Sequence, residues 1–362
     1  MWTSRSRSFR VRSRRQHARA LCLSTLLVTA CAPTLSKPRG EAHLSALAEA
    51  ERHQHHGRLA EAVMAYERAA ISAERRVDRD EALYRASRAS ARLEDYPRAI
   101  ALCDRIAEIE PPSRRTLRAR LDASRYRLEL GDDVRAQADL RALVISSPDS
   151  GEAKSALRTL LALNVRDASH EGALAYVEGL LRDVKQGALL ESLRFERARL
   201  LTALGRRDEA RRVLEDQVAR HPYPQGALWD DALIALADLA EAEKQPARAI
   251  AYLEQMLSVH ESALMMGSYT RATFPRAALR VARLYRDALS QPDEAAEAYA
   301  RVRAWFPKSL VADDALAEEG ELWLSRGERD KGCSMLREVV TTYEVGAARR
   351  RAERRIASDC VP

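Results

Sequence analysis

The 362-residue chain is poor in most of what marks a compact catalytic domain. Aromatic residues make up 5 % of it, glycines number 14 and prolines 13, and asparagine occurs once, at position 164. So little Gly and Pro excludes the turn density of a sandwich or barrel. With an excess of Ala, Leu, Arg and Glu, it leaves helix throughout. Lysine is scarce as well, 6 of the 60 basic residues; GC-rich coding accounts for that, and no function is read from it. The five cysteines, at 22, 31, 103, 333 and 360, form no CxxC or CxxxC pair and no zinc-like spacing with histidine. There is no GxSxG, no HExxH and no phosphate-cradling glycine loop. No catalytic residue, metal, cofactor or small-molecule substrate is expected.

Long apolar runs are missing too. Residues 20–30 form an 11-residue run, about 16 Å as a helix against a hydrocarbon core of about 30 Å. It follows seven arginines and no acidic residue. A basic leader, a short apolar core and small residues at its end are the parts of a secretory signal peptide. Its end, Val28-Thr29-Ala30-Cys31, resembles the lipobox of bacterial lipoproteins. The resemblance implies cleavage between Ala30 and Cys31 and acylation of Cys31, which would hold the protein to a membrane. An ordinary signal peptide with an incidental cysteine is the alternative. Ser13-Arg14-Arg15 is only faintly similar to a twin-arginine signal, because His17 and Ala18 stand where apolar residues are usual. The leader's arginines account for the whole net charge of +7, leaving 53 basic against 53 acidic residues. A nucleic-acid partner argued from overall charge therefore loses its basis.

What the chain has is a repeat. Ala62, Ala99, Ala136, Ala173 and Ala210 follow one another at intervals of 37 residues, and the series continues through Ala249, Ala295 and Gly332 at 39, 46 and 37. Four residues on lie Tyr66, Cys103, Leu140, Val177, Leu214, Leu253, Tyr299 and Leu336. Seven on lie apolar residues with one polar exception, Gln217. Small at i and larger apolar at i+4 and i+7 mark the buried face of a helix. Twelve residues before the marker stands a second small column, Ala50, Ser87, Ser124, Ala198, Ala237 and Gly320, broken by Leu161 and displaced by one at Ala282. Small residues there let two helices cross closely. Gly57, Gly131, Gly205 and Gly327 signal the turn between them, and Pro111, Pro148, Pro222 and Pro307 the end of the second. Each unit is a helical hairpin that must stack on its neighbours to bury its apolar face.

These residues resemble the tetratricopeptide repeat: Gly57, Leu59, Ala62, Tyr66 and Ala69 fit its pattern in the first unit, and Gly131, Ala136, Leu140, Leu143 and Pro148 in the third. The resemblance implies an all-α, right-handed α-solenoid of about eight stacked hairpins. The expected organisation is a signal peptide at 1–30, a tether at 31–42, repeats at 43–346 and a C-terminal capping helix at 347–362. Residues 261–275 account for the 46-residue step and read as a long inter-repeat loop.

In that family the first helix of each hairpin lines the concave groove, at positions eleven and fifteen before the marker. Here these are Arg88, Arg125 and Arg199, beside Tyr84, Leu121 and Phe195. Such a ladder suits an extended, anionic peptide. The lysine-and-asparagine clamp of chaperone-binding relatives is absent. His53, His55 and His56 read as a solvated helix end, since only His53 and His56 share a face. The acid pair Glu318-Glu319 reads as part of a polar helix face. Cys333 lies one past the last marker, near the start of a helix, and a final helix folded back from Gly346 brings Cys360 to the same end. A disulfide between them is expected, with Cys103 left as a buried thiol.

The whole reads as a lipid-anchored scaffold for protein partners on the periplasmic side of a bacterial outer membrane. Ala32 follows the lipidated cysteine where an aspartate signals inner-membrane retention. In outline it resembles the lipoprotein of the outer-membrane β-barrel assembly machinery and the pilotins that escort secretins. The alternative from another class is a cell-wall enzyme such as a peptidoglycan lyase with a helical superhelix, for which the length leaves no catalytic domain.

Overall fold

A computed structural model describes residues 38–108, 113–259 and 273–360. Ala30, Cys31, most of the expected tether, Pro111 and most of the expected long loop lie outside these residues. The described residues contain α-helices, one π-turn and no strand, and none of the helices is long and apolar enough to cross a membrane. The chain divides into two compact units, residues 1–119 and 120–362.

The first unit holds α1 (Glu41–His55), α2 (Leu59–Ile71), α3 (Arg76–Arg92), α4 (Tyr96–Ala107) and the opening of α5 (Thr116–Glu129). The second continues α5 and adds α6 (Asp133–Ser146), α7 (Gly151–Asp183), α8 (Leu189–Ala203), α9 (Arg207–Arg220), α10 (Trp229–Ala242) and α11 (Pro246–Leu257). It ends with α12 (Thr273–Arg283), α13 (Pro292–Trp305), α14 (Ala312–Ser325), α15 (Arg329–Thr342) and α16 (Ala347–Asp359). From α1 to α4 in the first unit, and from α6 to α16 in the second, every helix packs on its neighbours in sequence, as stacked hairpins require. Each unit is built as an α-solenoid stack of such hairpins, and α16 caps the last of them. The first turn of α12 takes in Thr273, Phe274 and Pro275, so the last residues of the expected loop are helical.

Both small columns are core. All seven marker alanines are 0 % exposed and Gly332 is buried, as are the six small residues of the first-helix column. In the last hairpin the crossing leaves no room for a methyl group. A β-carbon on Gly332 would lie 2.7 Å from the carbonyl oxygen of Gly320 and 2.8 Å from Leu324 Cγ. Every other repeat fits an alanine there; this one does not.

The turns obey one rule that glycine alone did not reveal. Five residues before the marker the backbone is left-handed, at Gly57, Gly131, Gly205 and Gly327 (φ 72–82°) and equally at Glu94, Lys244 and Ser290 (φ 52–59°). The next residue's N–H reaches back to a first-helix carbonyl, as Arg58 to His53, Asp95 to Ser90 and Gln245 to Ala240, at 2.8–3.0 Å. This is the Schellman arrangement, which satisfies carbonyls at the helix end. It recurs without glycine at about 1–2 kcal/mol per strained residue. The fourth hairpin has no such turn: its helices run together as α7, interrupted where Ser169 adopts φ 70°, ψ 174°. Ala282 is displaced by one because the π-turn Leu284–Ala288 follows it, adding a residue while keeping the small side chain at the crossing.

Gln217 is wholly buried, and its amide has no hydrogen-bond partner among the described residues. The cap is tied at both ends. Cys333 and Cys360 form a disulfide with their Cα atoms 5.7 Å apart. Arg329 Nε donates to Asp359 O at 2.7 Å, and Arg349 Nη1 donates to the carbonyls of Val340 and Tyr343 at 2.7 and 3.0 Å. Ala348 and Ala352 enter the core, with Ile356 packed at its edge. Cys103 is buried and outside the disulfide.

Two outcomes are expected. Gly332→Ala should lower stability by about 1–3 kcal/mol through overpacking, seen as a lower urea midpoint; an unchanged midpoint would show that the crossing relaxes freely. The chain produced from residue 32 onward and left unreduced should titrate one thiol when denatured and three after reduction. Reduction should remove about 3.5 kcal/mol of stability, from closing a loop of 27 residues.

Candidate functional site

Among the described residues many arginines are occupied by the fold itself. Arg98 pairs with Glu67 at 2.8 Å, Arg248 with Glu215 at 3.1 Å and Arg280 with Glu241 at 2.6 Å. Arg211–Glu243, Arg141–Asp183 and Arg301–Glu254 do the same. In each case the partners lie about one repeat apart, so the pair joins one hairpin to the next.

Against that background the six expected groove residues separate. Leu121 is 0 % exposed; it belongs to the core and offers a partner nothing, because α5 turns that position inward. Tyr84 is 6 % exposed, with the Arg115 guanidinium 4.5 Å above its ring. Arg125 faces Asp122 of its own helix at 3.6 Å, and Arg199 pairs with Glu196 at 2.8 Å. Phe195 is half-buried and Arg88 exposed. The structure therefore places Tyr84 and Arg88 on one cleft and Phe195 and Arg199 on another, while Leu121 and Arg125 line neither.

In the first unit, Tyr84 and Arg88 line a cleft of about 370 Å³ with Gln54, Tyr66, Glu81, Arg85, Arg92 and Arg115. Glu81 is clamped, one oxygen on Arg85 Nε at 3.0 Å and the other on Arg115 Nε at 2.6 Å. Burial pushes its carboxyl up, but the hydrogen bonds and charges of Arg115 and Arg85 outweigh it and hold the group below the usual carboxylate range. Arg85 also reaches Glu51 at 2.5 Å. Tyr66 donates to Gln54 Oε1 at 3.0 Å, and burial raises its hydroxyl above the ordinary tyrosine value.

In the second unit, Phe195 and Arg199 open onto a cleft of about 490 Å³ between α8 and α10. Its walls are Ala198, Thr202, Ala203, Leu214, Ala235, Leu239 and Ala242. Only Arg199, Arg207 and Asp238 bring charge to it, and Asp238 is paired with Arg280 at 2.6 Å. It is an apolar slot with a charged rim.

One polar cluster lies where an exposed face was expected. Glu318 and Glu319 are both 4 % exposed. Glu318 accepts from Arg283 (2.6 and 3.0 Å), Arg286 (3.1 Å) and the Tyr299 hydroxyl (3.0 Å), while Arg303 holds Glu319. The marker-plus-four column supplies the phenol: Tyr299 is the one member that carries a donor to Glu318. Burial raises the Glu318 carboxyl, and the Arg283 hydrogen bonds and charge, Tyr299 and Arg286 together bring it below the ordinary value. Reading the acid pair as surface missed this, although a buried carboxylate is tolerated only when paired in this way.

His55 and His56 are exposed at the end of α1, and His53 meets Glu49 at 3.5 Å. Among the described residues no group of three or more His, Cys, Asp or Glu side chains is placed to hold a metal ion.

No family model matches the chain, and no curated protein does. Solved structures similar to it include a tetratricopeptide repeat protein from Parabacteroides merdae, 15 % identical, covering 76 % of this chain and 98 % of that one, with a TM-score of 0.35. PilF of Pseudomonas aeruginosa is 18 % identical, covering 66 % and 96 %, at a TM-score of 0.38. The C-terminal part of a TPR repeat-containing protein from Cytophaga hutchinsonii is 13 % identical, covering 74 % and 98 %, at 0.44.

Glu318→Gln should destabilise the chain at neutral pH by about 2–3 kcal/mol, less than for a fully buried pair because the arginines are partly exposed. A carboxyl held below its unfolded value contributes fully above about pH 4.3 and loses that contribution as pH falls through the folded value. The difference between variant and wild type should therefore shrink on acidification below pH 4. A gap that is constant from pH 7 to pH 3 would contradict the assignment.

Proposed function

We propose that this protein is a lipid-anchored scaffold on the periplasmic side of a bacterial outer membrane, binding a partner protein along its first-helix faces. The observation that carries the binding half is the slot at Phe195. It is open, mostly apolar and about the volume of one or two large side chains, and Phe195 and Ala235 on it lie outside both small columns of the repeat. An aromatic at its mouth and an arginine on its rim are the residue types that anchor partners most strongly. The anchoring half rests on Val28-Thr29-Ala30-Cys31. A solenoid held by one acylated residue can reach a partner in the envelope without crossing the membrane.

Both halves are open to one experiment in intact envelopes. A photo-crosslinking residue at position 195 should yield an adduct with a defined protein. Ala235→Arg, which fills the slot from a half-exposed position, should reduce that adduct at least about tenfold while leaving helicity unchanged. Cys31→Ala should release the protein from the membrane fraction. Absence of any adduct would remove the binding half, and unchanged membrane association without an acyl group would remove the anchor.

A further inference from the structure

The cleft of the first unit has a marked charge imbalance. Four guanidinium groups and one carboxylate line it. That carboxylate, Glu81, is already held on both oxygens by Arg85 and Arg115, and Arg85 takes Glu51 as well. Arg88 and Arg92 are left exposed, with no ion pair to either among the described residues. They are spaced i,i+4 on α3 and so share one face of the helix. The internal pairs matter for a second reason. Glu81 and Tyr84 fix Arg115, and Glu81 and Glu51 fix Arg85, so two of the four guanidiniums are set before anything binds. Orienting a long side chain is a main cost of a charged contact; the fold meets it for Arg85 and Arg115, whose fixed positive charge stands beside Arg88 and Arg92.

We infer that this cleft is a docking site for side-chain carboxylates of an acidic segment in a partner protein, with Arg88 and Arg92 making the direct contacts. Guanidinium forks match carboxylates in two parallel hydrogen bonds. The floor of Tyr66 and Tyr84 supplies apolar contact for the methylene groups between backbone and carboxylate. A volume of about 370 Å³ admits two or three short acidic side chains. A cleft this open along α3 favours a run of acids over a single buried anion. The inference rests on the scaffold reading only in taking the ligand to be a protein, and it uses none of the residues at Phe195.

The test is fluorescence anisotropy with the full chain and a labelled hexaglutamate peptide, acetylated and amidated. Binding is expected, and the double variant Arg88→Gln, Arg92→Gln should weaken it by about tenfold or more. Ala235→Arg should leave it unchanged, so this result stands apart from the fate of the Phe195 slot. Since Arg88 and Arg92 hold no internal partner, the variant should keep wild-type circular dichroism. A hexaglutamine peptide with a free C-terminal carboxylate should bind at least tenfold more weakly; equal binding would move the site to chain termini and overturn the side-chain assignment. Displacement by inorganic phosphate at lower concentration than by the unlabelled peptide would make it a phosphate site and overturn the proposal. So would undiminished binding in the double variant, or no binding by the wild type.

Discussion

The close crossing of two helices at a pair of small residues is the constraint from which the rest of this structure follows. Ala62 and its six successor alanines are wholly buried, and the column opposite them holds only Ala, Ser or Gly in six of the repeats. With axes this close, the chain must reverse within a few residues, which calls for a left-handed residue and a Schellman bond. Where the chain carries an extra residue, the π-turn at Leu284–Ala288 absorbs it and leaves Ala282 in place. At Gly320 and Gly332 even a methyl group is too large. The hairpin bends its other rules before it gives up this one.

Small residues at the crossing limit how much apolar surface each hairpin can bury, and the joints between hairpins are reinforced by another chemistry. Arginine and carboxylate pairs one repeat apart recur in both units. Single exposed pairs contribute little, typically under about 1 kcal/mol. Their regular placement explains why a chain with 31 % charged residues is neutral once its leader is set aside: each stitch uses one charge of either sign. Arginine suits these joints, because a planar fork can hold a carboxylate and lie over a ring together, as Arg115 does with Glu81 and Tyr84.

The period, the two small columns and the capping helix were legible because they are one-dimensional: they recur at fixed spacing and need no knowledge of neighbours. Glu94, Lys244 and Ser290 were not legible as turn residues, since nothing in their side chains announces a positive φ. Leu121 occupies the position at which Tyr84 and Phe195 line clefts, but here it is wholly buried. Glu318 looked like surface because burial of an acid depends on Arg283, Arg286 and Tyr299 arriving from other helices. Repeat geometry was therefore readable, whereas the division of the expected groove into one charged cleft and one apolar slot required pairings between elements.

The two ends of the chain bear on the same question from independent directions. The leader predicts export from residue types alone, before any fold exists. The cap meets a different need: the last hairpin has a neighbour on one side only, so its open face frays unless something covers it. Helix α16 covers it with Ala348 and Ala352, a small apolar contact for a helix with five arginines in thirteen residues. Such a helix has little hydrophobic hold of its own, and the Cys333–Cys360 bond confines it to its seat. That device works only where disulfides persist, which a reducing cytosol does not allow and a periplasm does. A cap of this design therefore supports the periplasmic location proposed above.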